Sequence, residues 1–127
     1  VMEEGGFLYD SDSYSDDLPY WEIRGKKKLL TIPYTLDNND MRFATNQGFN
    51  SGDQFYTYLK DSFDALYNEG NTKPKMMSVG LHCRLIGRPG RIQSLKKFLE
   101  YALKHNDVWI CKRIDIAKHW IKNYSNI

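Results

Sequence analysis

His82 has the residue type and setting best suited to chemistry in this chain of 127 residues. It follows the apolar run Lys75-Met76-Met77-Ser78-Val79-Gly80-Leu81, so a strand there would deliver an imidazole to the mouth of a sheet. An imidazole titrates near neutrality and can hand a proton to a leaving group. A single histidine in such a place can equally be a buried donor to a backbone carbonyl, and both readings stay open on residue type alone. Arg84, Arg88 and Arg91 come next. Guanidinium forks bind carboxylates or carbonyl-rich rings with fixed geometry. The run Arg88-Pro89-Gly90-Arg91 also fits a turn that leads into a helix, with its arginines in surface ion pairs.

Two further sets of side chains could act. Asp10, Asp12, Asp16 and Asp17 lie in a polar stretch that ends at Pro19. Neighbouring carboxylates can hold a proton, orient an arginine or bind a metal, and a solvated loop is the alternative. The calcium-loop pattern fails for want of its sixth-position Gly and twelfth-position Glu. Asn39, Asp40 and Arg42 form a donor and acceptor set that could read the alternating N–H and C=O groups of a cyclic amide or urea. A plain turn has the same composition. His105 and His119 read as structural. No HExxH, HxxH, GxSxG or phosphate-loop motif occurs.

Elements must position these groups. Phe7-Leu8-Tyr9 reads as a short buried strand ahead of the acidic loop, and Lys28–Ile32 as a second strand that Pro33 ends. A polar loop covers Thr35–Phe43. Ser51 and Gln54 form a capping box, and Phe55, Leu59, Phe63 and Leu66 then recur at helical spacing. Gly70 is expected to end that helix in the left-handed conformation. Lys75–Leu81 is the third strand, and Ile92, Leu95, Phe98, Leu99, Ala102 and Leu103 mark a second helix. Val108-Trp109-Ile110 is a fourth short strand, and Ile114, Ala117 and Ile121 lie on one face of a last helix. The alternation predicts an α/β fold with mainly parallel strands, residues 1–127 having no internal boundary. In such folds the loops at the C-terminal ends of strands carry the chemistry.

Composition narrows the classes of function. Eighteen Lys and Arg against sixteen Asp and Glu leave +2, which argues against a nucleic-acid partner. Hydrophobic residues at 41% and charged residues at 27% describe a globular chain. No apolar run reaches the roughly 18 residues of a membrane span, so no membrane partner is expected. No secretory leader is read at the start. Cys83 and Cys111 form no CxxC, and two reduced thiols suit a cytoplasmic location. Seven acidic and no basic residues precede Ile23, whereas eight basic and three acidic residues follow Gly90. The abrupt opening at Val1 suggests a piece of something longer.

The runs DSDSYSDDLPYW (10–21), IPYTLDNNDMRFATNQGFNSGDQFYTYLKDSFDALYNEG (32–70) and MMSVGLHCRLIGRPGRIQSLKKFLEYALKHNDVWICKRIDIAKHW (76–120) carry a resemblance. They resemble the C-terminal part of the allantoinases, or urate catabolism proteins, a branch of the polysaccharide deacetylase superfamily. PYTLDNNDMRF and GLHCRLIGRPGR are specific to that branch. The resemblance implies the C-terminal part of a distorted (β/α) barrel of the NodB-like type, and hydrolysis of allantoin's ring to allantoate. It implies that His82, in Gly80-Leu81-His82, is the catalytic acid. It implies that Asp12 or Asp17 supplies a carboxylate that orients a catalytic arginine. By location Asn39, Asp40 and Arg42, with Arg84 and Arg88, are the substrate-binding candidates. No metal or other cofactor is implied for this branch. The superfamily's base, Asp-His-His set and arginine motif belong to N-terminal motifs absent from these 127 residues. The implied partners are therefore the N-terminal remainder of the catalytic domain and further copies of the chain. A truncated assembly module and a deacetylase of N-acetylated sugars are the alternatives.

Overall fold

The computed structural model describes residues 2–125. In chain order they form α1 (Met2–Gly5), β1 (Tyr20–Arg24), β2 (Lys27–Thr31), a 3₁₀ turn (Asp40–Ala44), α2 (Gly52–Glu69), α3 (Cys83–Ile86), α4 (Pro89–Ala102) and α5 (Arg113–Tyr124). Contacts divide them into two compact units. One comprises the described residues up to Tyr34 and from Trp109 onward, and the other is Thr35–Val108. No helix among the described residues is long and apolar enough to cross a membrane.

In the first unit β1 and β2 pair antiparallel, with Tyr20 opposite Thr31 and Arg24 opposite Lys27. Gly25 takes the first position of the two-residue turn at φ 62°, as a type II′ hairpin requires. Leu30, Thr31 and Ile32 are fully buried, as is Ala117 of α5. The Arg113 guanidinium donates to the carbonyls of Ile32 and Pro33, both at 2.9 Å, and so ties the start of α5 to the end of the hairpin. The indole N–H of Trp21 donates to the Tyr124 carbonyl at 2.8 Å and fixes the other end.

The second unit is built on α2 against α4. Ser51 caps α2 by accepting from the Gln54 amide, and the Gln54 side chain accepts from the Asn50 amide. Phe55, Leu59 and Phe63 line one face of α2 at four-residue spacing and meet Phe98 and Ala102 of α4 in the buried core. Gly52 lets the helices approach, because a Cβ there would overlap the Ser94 hydroxyl. Pro89 occupies the first turn of α4, where its missing N–H costs nothing.

Four expectations need correction. Phe7-Leu8-Tyr9 is no buried strand: Phe7 is 60% exposed, and pairing is confined to one parallel bridge between Asp10 and Thr31. Lys75–Leu81 forms no ladder beyond the parallel bridge of Gly80 to Asn39, and Val108-Trp109-Ile110 forms none. A ladder needs a neighbouring strand as well as β-forming residues, and the described residues supply none beside these segments. Gly70 adopts ordinary right-handed backbone at φ −56°. The last carbonyls of α2 are met instead by the Gly70 amide and by the Asn71 and Thr72 side chains.

Candidate functional site

The site assembles in the second unit where Asn39 and Gly80 bridge. The Gly80 N–H donates to the Asn38 carbonyl at 2.8 Å, and the Asp40 N–H donates to the Gly80 carbonyl at 2.9 Å. Gly80 is required by this approach, since a Cβ there would overlap the Asn39 side-chain amide. The bridge brings Asp40 beside His82, a residue 42 positions later in the chain.

Asp40 is completely buried. One carboxylate oxygen lies 2.7 Å from His82 Nδ1, and the other accepts the backbone N–H groups of His82 at 2.8 Å and Ile86 at 3.0 Å. Three donors on one buried carboxylate offset its loss of water. A carboxylate oxygen only accepts, so Nδ1 carries the proton that it receives. Nε2 is thereby left as the unprotonated nitrogen of a neutral imidazole that is 37% exposed. His82 itself opens α3, and its carbonyl accepts from Leu85 and Ile86. Its ring faces a carboxylate rather than a backbone carbonyl.

The other candidates fall into different places. Asn39 is buried, and its amide serves the loop: Oδ1 accepts from the Met41 N–H and Nδ2 donates to the Thr35 carbonyl, both at 2.9 Å. The Arg42 guanidinium lies over the rings of Phe49 and Tyr58, at 4.6 and 4.5 Å from their centroids. It also donates to the carbonyl and carboxylate of Asp37, each at 3.3 Å. Arg84 lies exposed on α3, and Arg88 lies exposed as the N-cap of α4. Arg91 stacks on Phe43 and donates to the Leu85 carbonyl. Asp12 and Asp17 are exposed and belong to the first unit. His105 packs edge-on against Phe63, Tyr67 and Tyr101 and donates from Nδ1 to the Tyr101 carbonyl.

Sequence reasoning grouped Asp40 with Asn39 and Arg42 and missed its pairing with His82. It also passed over Asn38, whose buried Oδ1 has no hydrogen-bond partner although the rest of the loop is well bonded. An open groove of about 470 Å³ runs beside α2, between Phe49, Thr57, Tyr58 and Asp61. Neither Asp40 nor His82 lines it.

A loop-borne carboxylate that aims a histidine at the start of a short helix, on this fold, places the chain among known proteins. By sequence and by fold it is similar to part of the polysaccharide deacetylases. No family model matches it. A Schizosaccharomyces pombe protein described as "Putative polysaccharide deacetylase" is 48% identical over 122 residues, covering 88% of this chain and 38% of the yeast protein. The crystal structure of a "probable Polysaccharide deacetylase" from Pseudomonas aeruginosa PAO1 is 62% identical with a TM-score of 0.92. The structure of PuuE allantoinase is also 62% identical, with a TM-score of 0.93. Each of these two structures matches 98% of this chain, over 42% of its own length. The chain thus spans about two fifths of the length of the proteins it resembles. The expected fold type is borne out, in the mixed helix-and-sheet portion present here.

Proposed function

We propose that this chain is the C-terminal portion of a hydrolase that opens the cyclic amide C–N bond of allantoin to give allantoate. The Asp40–His82 pair carries the reading: the carboxylate keeps one proton on Nδ1 and turns a partly exposed Nε2 outward, where a second proton makes the imidazolium that serves as a general acid. The likeness to PuuE allantoinase and the runs PYTLDNNDMRF and GLHCRLIGRPGR support the choice of substrate. Water adds to a ring carbonyl carbon, the carbon–nitrogen bond breaks, and the departing nitrogen takes its proton from Nε2 of the protonated His82 imidazole, whose other proton stays between Nδ1 and Asp40. The base that takes the proton of water comes from the N-terminal remainder of the domain, with which residues 1–127 make one catalytic unit. Arg84 and Arg88, both exposed, meet the carbonyl-rich ring. Asp12 or Asp17 orients an arginine of that remainder. Asn39 and Asp40 act by building the loop and aiming the imidazole. The protein works in the cytoplasm, in purine catabolism and as a homo-oligomer.

The names of two relatives favour a second reading, removal of acetyl groups from N-acetylated sugars. The experiment offers both substrates to the protein in which this chain is joined to its N-terminal remainder. Allantoate from allantoin, with no acetate from acetylated chito-oligomers, is the expected result. Acetate alone would replace the first reading with the second. No turnover of either would leave the chain as a non-catalytic assembly module.

A further inference from the structure

The environment of Arg42 suits mechanical support better than ligand capture. Its guanidinium lies over two adjoining aromatic rings, Phe49 and Tyr58, within 4.6 Å of each centroid, and the two rings touch each other, their centroids 5.7 Å apart. A face covered by a ring is closed to a planar ligand. Its Nη1 is engaged by both the carbonyl and the carboxylate of Asp37. The same Asp37 carboxylate accepts the Tyr58 hydroxyl at 2.6 Å. The Arg42 backbone joins the arrangement as well, its N–H donating to the Asn39 carbonyl and its carbonyl accepting from the Phe49 N–H at 2.9 Å. These contacts close residues 37–42 into a ring around Asp40. They tie that ring to α2, whose Phe55, Leu59 and Phe63 are rooted in the core.

We propose that Arg42 is a positioning residue, a latch that holds the loop carrying Asp40 against α2 and thereby keeps the His82 imidazole aimed. The inference rests on the reading of His82 as the acid and assigns Arg42 a part in it. A latch and a substrate contact differ in kinetics. Loss of a ground-state contact raises KM, whereas loss of aim slows the chemical step at unchanged KM. Misplacement of a reacting group by about 1 Å costs about 100-fold in rate.

The test uses the protein joined to its N-terminal remainder, as wild type, Arg42→Met, Tyr58→Phe and the double variant. Arg42→Met is expected to lower kcat for allantoin by about 10- to 100-fold with KM within twofold. Tyr58→Phe, which removes only a hydroxyl and keeps the fold, is expected to lower kcat less and in the same direction. The double variant should be no slower than twice the deficit of Arg42→Met, because both break one latch. Nitrogen-15 spectra of the histidines give a readout that needs no substrate. His82 should show the Nδ1–H tautomer in the wild type and a mixture in Arg42→Met. A tenfold rise in KM at unchanged kcat would overturn the latch in favour of a substrate contact. An unchanged tautomer in Arg42→Met would overturn it outright. A protein inactive on allantoin that still shows the tautomer shift keeps the latch and loses the allantoin reading.

Discussion

Replacing Asp40 by Asn preserves shape and removes charge, so its consequences can be worked from three hydrogen bonds. One carboxylate oxygen accepts two backbone N–H groups, those of His82 and Ile86, and the other faces His82 Nδ1. An amide placed there keeps its oxygen on the two backbone donors, since the opposite flip would set two N–H groups against its NH₂. The NH₂ then faces Nδ1 and forces it to become the acceptor. The ring proton moves to Nε2, and a second proton at Nδ1 would face the NH₂ group, so the imidazolium that the acid step needs loses its partner. General acid catalysis contributes about 10²- to 10⁴-fold, so kcat should fall by that range, about 3–5.5 kcal/mol of transition-state stabilisation. Three charge-assisted bonds become neutral ones, which lowers stability by about 3 kcal/mol in sum. Saturating turnover of allantoin reads the first effect, and a thermal melt read by circular dichroism reads the second. A folded Asp40→Asn protein with kcat within threefold of wild type would refute the assignment.

Three other expectations follow from the packing. Gly80→Ala must push the Asn39 amide aside, because its Cβ would lie 2.7 Å from Asn39 Cγ; activity should drop by at least tenfold in a protein destabilised by about 1–3 kcal/mol, measured by urea unfolding. Phe63→Ala removes a ring packed on Tyr67, Phe98 and Tyr101 and should cost about 3–5 kcal/mol in the same assay. Hydrogen bonds from Lys60 and then Tyr101 hold the Asp64 carboxyl below its ordinary value of 3.8. A lowered folded value means that the link between α2 and α4 adds stability above the unfolded value and loses it as pH falls through the folded one. Asp64→Asn should therefore lower the urea midpoint at pH 7 and make little difference in strong acid.

Local signals in the sequence were sufficient for the three long helices, α2, α4 and α5. Ser51 and Gln54 mark the start of α2, the spacing of Phe55, Leu59 and Phe63 marks its buried face, and Pro89 marks the start of α4. The hairpin was half legible: Lys28–Ile32 reads as a strand, one residue off the observed Lys27–Thr31, but Tyr20–Arg24 is hidden behind a polar loop and becomes a strand only through its partner. The extended stretches at Lys75–Leu81 and Val108-Trp109-Ile110 show the converse, β-forming residues without a neighbour to pair with. At the site, residue types pointed to His82 and to the Asn39, Asp40 and Arg42 group. What joins them is the bridge of Asn39 to Gly80, a tertiary contact that no local pattern encodes. Asp40 therefore read as a group that meets a ligand, whereas the fold turns it inward to hold an imidazole.

Replacement of His82 tests the central claim most directly. Allantoate formation is followed in the protein that joins this chain to its N-terminal remainder, as wild type and as His82→Ala, with the melt checked in parallel. The account expects kcat to fall by about 10²- to 10⁴-fold while the protein stays folded, because Nε2 alone supplies the proton for the departing nitrogen. Undiminished turnover in a folded His82→Ala protein would contradict it.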